Sequence, residues 1–246
     1  MVLQLPNNAQ YVYKPENLYL GKKKMNMEIE AENLLLLRKI FNKLNIEFLL
    51  FYGTLLGAIR DNSFIKHDED VDIALKYQYF EEFQNSLFIL RDSGFELVRI
   101  DKRGFASIIR KNEYIDLYFF SRKNDLFSEC CGNFIYTSLL NEVTEYSFYN
   151  STFLIPKDYL VFFLTEYGLS WNTPIEYKHS NISIFFFVLI YYIKKIIPAY
   201  FKKIIYSRKS KKNFSKFINK IERVANNENI HNYHLLQQCK NNQIDN

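Results

Sequence analysis

The sequence predicts an α/β or α+β domain, a sheet flanked by helices, for three reasons. Hydrophobic residues make up 48% of the 246 residues, which is enough to bury a sizeable core. Runs of strand and helix length alternate along the first part of the chain, and a cluster of strand-like runs follows. The three cysteines include one adjacent pair, Cys130 and Cys131, so we expect two buried or partly buried thiols and no disulfide framework.

Periodicity, glycines and prolines define the individual elements. Apolar side chains near helical spacing predict an amphipathic helix over Met27–Asn45. The apolar run Ile46–Gly53 ends at a glycine and is typical of a short buried strand, after which Thr54–Arg60 is predicted to begin a helix. The other predicted elements are a strand at Asp70–Leu75, a helix at Tyr79–Gly94, strands at Phe95–Ile100, Phe105–Arg110 and Tyr114–Phe120, further strands within residues 127–155, and a helix at Pro156–Gly168.

Four acidic residues are crowded into five positions: Asp68, Glu69, Asp70 and Asp72. On a strand, Asp68, Asp70 and Asp72 would share one face, where carboxylates a few ångströms apart raise one another's pKa. A divalent cation such as Mg²⁺ or Mn²⁺ would resolve this conflict, because hard cations take oxygen ligands. Asp116, a lone acid in an apolar strand, is the natural additional ligand. The alternatives are a solvated acidic loop and an edge-strand Asp116 that faces water.

A glycine turn precedes the acidic run. Gly53 and Thr54 are predicted to end a strand and begin a helix, where free N–H groups and the helix dipole favour an anion. Thr54 can add a hydroxyl, and Gly57 allows a ligand or another backbone to approach closely. Arg60 could reach a phosphate; the alternative is that its side chain is simply solvated. Together the turn and the acids predict a phosphate–metal site.

Three motifs carry a family resemblance. The stretch Tyr52–Leu75, the acidic strand Tyr114–Phe120 and the segment Ile155–Pro174, in which a helix leads into Tyr-Gly, Trp and Pro, resemble the LicD family of phosphocholine transferases. That family includes fukutin and fukutin-related protein and has the nucleotidyltransferase (polymerase-β-like) fold. The resemblance covers roughly residues 30–180, and it implies a nucleotidyltransferase-like mixed sheet flanked by helices.

The resemblance also implies a reaction. A phospho-alcohol would pass from a CDP-activated donor to a sugar hydroxyl, with CMP leaving. Asp70 and Asp72 would hold Mg²⁺ or Mn²⁺, and Asp68 and Asp116 would complete the metal set. We take Asp70, Asp72 and Asp116 as the catalytic residues, with Asp116 as the candidate acceptor of the hydroxyl proton.

The same resemblance assigns a donor pocket. Gly53 and Thr54 would contact the donor's phosphates, and Gly57 and Arg60 belong to the same predicted site. Where the family usually has Pro-Trp, this chain has Lys66 and then histidine, which changes the wall of the pocket and leaves the donor's identity open. Trp171, the one tryptophan, could stack on a base, hold a quaternary ammonium or simply pack.

The chain's positive charge is concentrated in one segment. Residues 177–221 contain eleven Lys and Arg and no acid. We expect residues 182–212, which begin with an apolar run too short to span a bilayer, to contact an anionic membrane surface. The alternatives are a helix packed on the domain and RNA binding, which no recognised motif supports. The expected organisation is an irregular segment at 1–24, the catalytic domain at 25–180, a basic helical extension at 181–225 and a polar, disordered tail at 226–246.

The predicted protein is therefore a metal-dependent transferase at the cytoplasmic face of the membrane, with a glycan or lipid-linked saccharide as acceptor. A nucleotidyltransferase that moves NMP from an NTP to a small molecule or RNA would share the acidic site. An inactive adaptor that binds a nucleotide or glycan is the non-enzymatic alternative.

Overall fold

The computed structural model describes residues 1–16, 24–175 and 199–225. The strands are β1 (Val2–Gln4), β2 (Gln10–Val12), β3 (Leu49–Leu50), β4 (Val71–Lys76), β5 (Glu96–Asp101), β6 (Phe105–Arg110), β7 (Glu113–Arg122), β8 (Phe127–Cys130), β9 (Asn133–Tyr136), β10 (Val143–Phe148) and β11 (Ser151–Pro156). The helices are α1 (Met27–Lys43), α2 (Tyr52–Asp61), α3 (Phe80–Asn85), α4 (Leu87–Asp92), α5 (Ser138–Asn141), α6 (Tyr159–Tyr167) and α7 (Ala199–Ala225), with a 3₁₀ turn at Tyr77–Tyr79.

A mixed sheet of nine strands forms the centre of the fold. Seven strands run in the order β10-β11-β3-β4-β7-β6-β5, and β8 pairs with the end of β7 and with β9. The pairs β4–β7 and β11–β3 are parallel, and the other pairs are antiparallel. The predicted mixed α+β architecture is therefore confirmed.

Local side-chain and backbone features explain where α1 begins and where the chain turns between β6 and β7. The Asn26 side chain accepts hydrogen bonds from the first turn of α1, which then buries Leu34, Leu37 and Phe41. The β6–β7 hairpin turns at Lys111 and Asn112, which both adopt left-handed backbone angles, with φ of 52° and 63°.

Several predicted elements differ from the observed ones. The strand predicted over Ile46–Gly53 is reduced to β3 because α2 already begins at Tyr52. The helix predicted over Tyr79–Gly94 is interrupted at Ser86, whose hydroxyl donates to the Phe83 carbonyl at 2.8 Å. Residues 1–24, predicted to be irregular, contain the β1–β2 hairpin. The apolar run at 182–193 and the tail at 226–246 lie outside the described residues.

Candidate active site

The register of neighbouring strands builds a carboxylate cluster. Asp72 on β4 and Asp116 on β7 are direct partners across the parallel pair, so their side chains lie on the same face of the sheet. Asp70 immediately precedes β4 and completes the group. One oxygen from each of the three carboxylates lies within 4.8 Å of the others. The structure thus brings together the three acids that the sequence singled out as catalytic.

These carboxylates are poorly solvated. Asp72 and Asp116 are 8% and 5% exposed, and Asp70 is half-buried. Burial raises the pKa of all three, and repulsion from neighbouring carboxylates raises the pKa of Asp70 and Asp72 further. Three oxygen ligands in this arrangement fit a hard divalent cation, which would relieve the repulsion. The cluster can therefore bind a metal ion.

Asp116 has two partners that sequence analysis missed. Nη2 of Arg99 donates to Oδ2 of Asp116 at 3.0 Å and to Oδ1 at 3.3 Å, and the Ser107 hydroxyl donates to Oδ1. Burial raises the pKa of Asp116, and Arg99 and Ser107 oppose this effect. The two partners therefore favour the charged carboxylate that a metal ion needs.

A bulge in β5 places Arg99 beside this carboxylate. Leu97 pairs with Ile108 and Arg99 pairs with Ser107, so Val98 is an extra residue in β5. Without the extra residue, Val98 would oppose Ser107 and Arg99 would lie on the other face of the sheet. No turn residue in this part of the sequence signals the bulge.

The first turn of α2 holds Asp72. The Asp72 amide donates to Oγ1 of Thr54 at 2.8 Å, and the Gly53 amide donates to Oδ2 of Asp72 at 3.3 Å. Thr54 is 1% exposed and lies away from the cavity described below. The hydroxyl of Thr54 therefore secures the start of β4, and the predicted contact of Thr54 with the donor's phosphates stays a prediction.

The structure also places Asp68 and Gly57. Because β4 begins at Val71, Asp68 lies in the preceding turn and not on the strand, and its amide donates to the Ile65 carbonyl at 3.0 Å. Asp68 is thus outside the group of three carboxylates, although its charge contributes, after burial, to raising the pKa of Asp72. At Gly57 another backbone approaches closely, which is one of the two predicted alternatives, because a β-carbon there would collide with the Ser63 carbonyl.

A cavity of about 530 Å³ opens over the carboxylates, a size typical of small-molecule sites. Of the residues singled out from the sequence, the walls of this first cavity contain Gly53, Arg60, His67, Asp68, Asp70, Asp72 and Trp171. Lys66 is exposed and is not part of this wall, so its predicted place in the donor pocket stays a prediction. Arg60 pairs with Asp61 at 2.7 Å, and the Trp171 ring packs on Phe163 with centroids 4.9 Å apart.

The described part of the basic extension packs on the domain. Phe214 and Phe217 of α7 contact Phe127 of β8, with ring centroids 5.5 and 5.6 Å apart. None of the helices within residues 1–16, 24–175 and 199–225 has both the length and the apolar character that a membrane crossing requires.

Comparison with known proteins identifies the family. The model for the LicD/FKTN/FKRP nucleotidyltransferase domain matches residues 45–167, half of the chain, and this segment contains all three clustered carboxylates. The chain belongs to this family. Membership supports a transferase of phosphate-related groups.

Individual relatives are distant. "Uncharacterized protein RT0683" of Rickettsia typhi (strain ATCC VR-144 / Wilmington) is 26% identical over 125 residues, 49% of this chain and 39% of the relative, so the match spans less than half of that protein. The lincosamide antibiotic adenylyltransferase LnuA, bound to lincomycin, is 14% identical over 63% of this chain and 91% of its own, with a TM-score of 0.40. ANT(2″)-Ia in complex with adenylyl-2″-tobramycin is 11% identical over 79% and 98%, with a TM-score of 0.43.

Proposed function

We propose that this chain transfers a phospho-alcohol, phosphocholine-like or a polyol phosphate, from a CDP-activated donor to a hydroxyl of a cell-surface glycan or lipid-linked saccharide. One observation carries the proposal: Asp70, Asp72 and Asp116 converge beside the first turn of α2, and Asp70 and Asp72 lie in the wall of a cavity of suitable size. The family membership supports a CDP-alcohol as the donor.

The residues divide the chemistry between them. Asp70, Asp72 and Asp116 would hold Mg²⁺ or Mn²⁺, which when bound would neutralise the donor's pyrophosphate and the charge on the leaving CMP. The acceptor oxygen bonds to the phosphorus that carries the alcohol, and the bond from that phosphorus to CMP breaks. The hydroxyl proton passes to a carboxylate. Asp116 is the candidate, since Arg99 and Ser107 orient its carboxylate and leave it lone pairs for a proton.

The first cavity would bind the donor. Gly53 and Arg60 would lie near its phosphates, and Trp171 offers a flat aromatic surface to the base or to a quaternary ammonium group. An anionic nucleotide can bind beside these acidic residues, because the cation that they hold would balance the negative charge of its phosphates.

We also propose peripheral contact between residues 182–212 and the cytoplasmic face of a membrane. In the described part of this segment, Phe201 and Ile205 are 56% and 44% exposed, and Lys203 and Lys209 are exposed on the same helix. Apolar and cationic side chains together favour an anionic lipid surface. Sedimentation with phosphatidylglycerol vesicles should carry the protein down, and vesicles of phosphatidylcholine alone should not.

Thermal unfolding tests the enzymatic proposal. The protein is heated with Mg²⁺ or Mn²⁺ and each of CDP-choline, CDP-ethanolamine, CDP-glycerol, CDP-ribitol, CTP and ATP, and the Asp70→Asn, Asp72→Asn double variant is the control. A donor at a hundredfold its Kd should add about 2.7 kcal/mol to the free energy of unfolding. A metal-dependent gain with one CDP-alcohol, lost in the variant, is expected. A gain with CTP or ATP alone would favour the nucleotidyltransferase, and no gain with any of the six would contradict donor binding by the free enzyme.

A further inference from the structure

A second cavity, of about 470 Å³, lies between α7 and the sheet. We infer that this second cavity binds an anionic group of the acceptor, a phosphate or a carboxylate, and so holds the acceptor's hydroxyl near the carboxylate cluster. The inference rests on the proposed transferase function and adds to it a recognition site for the acceptor.

The second cavity adjoins the carboxylate cluster. Tyr52 belongs to the walls of both cavities, and its ring centroid lies 4.9 Å from that of Tyr118 in the second. Tyr118 follows Asp116 by two residues on β7, so both side chains lie on one face of the sheet. A molecule in the second cavity therefore has one end close to the metal-binding acids.

The second cavity differs from the first in charge. Lys216 and Lys220, one turn apart on α7, lie in its wall together with Asn213 and one acid, Glu166. Glu166 pairs with Lys220 at 3.3 Å. Within the described part of the chain, Lys216 has no acid at ion-pair distance, so a positive charge remains for a ligand. The first cavity is instead predominantly acidic.

The packing of α7 on the β8–β9 hairpin sets the position of these lysines. Nδ2 of Asn213 donates to the Gly132 carbonyl at 2.9 Å, and this uses one of the two amide N–H donors. Phe217, next to Lys216, is buried against the β8–β9 hairpin, with its ring 5.7 Å from that of Tyr136. The helix is thereby fixed on the domain, and its exposed Lys216 and Lys220 lie in the wall of the cavity, where an anion can reach them.

Calorimetric titration of the full chain tests this site, with glucose 1-phosphate and glucuronic acid as probes and glucose as the neutral control. Lys216→Glu reverses the unpaired charge. Lys212→Glu is its matched control, since Lys212 is exposed one turn earlier on α7 and outside the cavity wall. Wild type and Lys212→Glu should bind an anionic sugar, and Lys216→Glu should bind it at least about tenfold more weakly. Which of the two sugars binds distinguishes a phosphate from a carboxylate.

Two results would overturn the inference: no binding of either anionic sugar to the wild type, or an equal loss in Lys212→Glu and Lys216→Glu. The donor titration keeps the two proposals apart. Suppose that binding of the anionic sugars requires Lys216, while neither CDP-alcohols nor NTPs stabilise the protein. The proposed donor is then contradicted, and the anion site is supported. If a CDP-alcohol stabilises the protein and Lys216→Glu binds the sugars normally, only the acceptor site is overturned.

Discussion

Arg99 and Asp116 lie on β5 and β7, which are separated by β6, yet their side chains form an ion pair at 3.0 Å. Ser107 on β6 lies between them: Nε of Arg99 donates to its hydroxyl oxygen at 3.1 Å, and the hydroxyl donates to Asp116. The guanidinium also covers the Phe105 ring, with Cζ 4.4 Å from the centroid. One carboxylate of the cluster is therefore oriented by the protein itself, and Arg99 and Ser107 partly offset the effect of burial on its pKa.

Arg99→Leu should move metal binding to higher pH. Burial raises the pKa of Asp116, and loss of Arg99 removes the charge that opposes this effect, so deprotonated Asp116 is populated only at higher pH. When Mn²⁺ affinity is measured from mildly acidic to neutral pH, the pH at which the affinity falls should be higher for Arg99→Leu than for the wild type. Arg99→Lys keeps a positive charge and should displace it less. The same pH dependence of Mn²⁺ affinity in wild type and Arg99→Leu would contradict the proposed role of the ion pair.

Thr54→Val should destabilise the protein. The substitution leaves the Asp72 amide buried without its 2.8 Å acceptor, which should lower the free energy of unfolding by about 1–3 kcal/mol. Urea unfolding measures the loss, and Thr54→Ser, which keeps the hydroxyl, should lose less. A valine variant as stable as the wild type would contradict this role of the hydrogen bond, whatever the serine variant loses with its methyl group.

Gly53 and Gly57 should respond differently to alanine. A β-carbon at Gly57 would collide with backbone at Ser63, which cannot move without shifting the chain, so Gly57→Ala should cost about 1–3 kcal/mol in unfolding free energy. A β-carbon at Gly53 would meet the free end of the Asp68 side chain, which can rotate away. Gly53→Ala should therefore keep most of its stability in urea and lose donor binding in the thermal assay. Equal destabilisation by both substitutions would contradict this division.

The features that sequence analysis anticipated depend on local patterns. Asp116 was predicted because it is the one acid in an otherwise apolar stretch. This pattern is visible in the sequence alone, without knowledge of the neighbouring strands. The Lys111–Asn112 turn lies between Phe105–Arg110 and Tyr114–Phe120, two runs that were predicted as strands from their local pattern. The convergence of Asp70 and Asp72 with Asp116 also requires the parallel pairing of β4 with β7, which the structure shows and the local patterns do not specify.

The features that sequence analysis missed depend on register and tertiary contact. The place of Arg99 is set by one extra residue, Val98, and a bulge of this kind has no compositional sign here. The bond between Thr54 and the Asp72 amide is a tertiary contact of this kind, because a hydroxyl at a helix start shows in sequence only that it suits an anion. Similarly, the lysines of α7 looked the same in sequence, whereas packing directs Lys216 to a cavity.

The metal-free protein is expected to lose stability as pH rises. Burial and neighbouring carboxylates raise the folded-state pKa of Asp70 and Asp72 above the unfolded value of about 3.9. Each group then binds its proton more tightly when folded. Its stabilising contribution is complete below the unfolded pKa and is lost as pH rises through the folded pKa. The decline should therefore begin near pH ~4 and continue into the raised range.

A difference measurement isolates this effect. Thermal midpoints in EDTA are compared across pH for wild type and the Asp70→Asn, Asp72→Asn variant, which lacks both titrating groups. Carboxyls with the opposite sign, such as Asp61, whose pKa is lowered chiefly by its hydrogen bond with Arg60, cancel in the difference. The wild type should fall relative to the variant as pH rises, and saturating Mg²⁺ should restore the wild type alone, because the cation replaces the lost protons. A difference that stays flat with pH would show that the folded protein does not raise the pKa of Asp70 and Asp72.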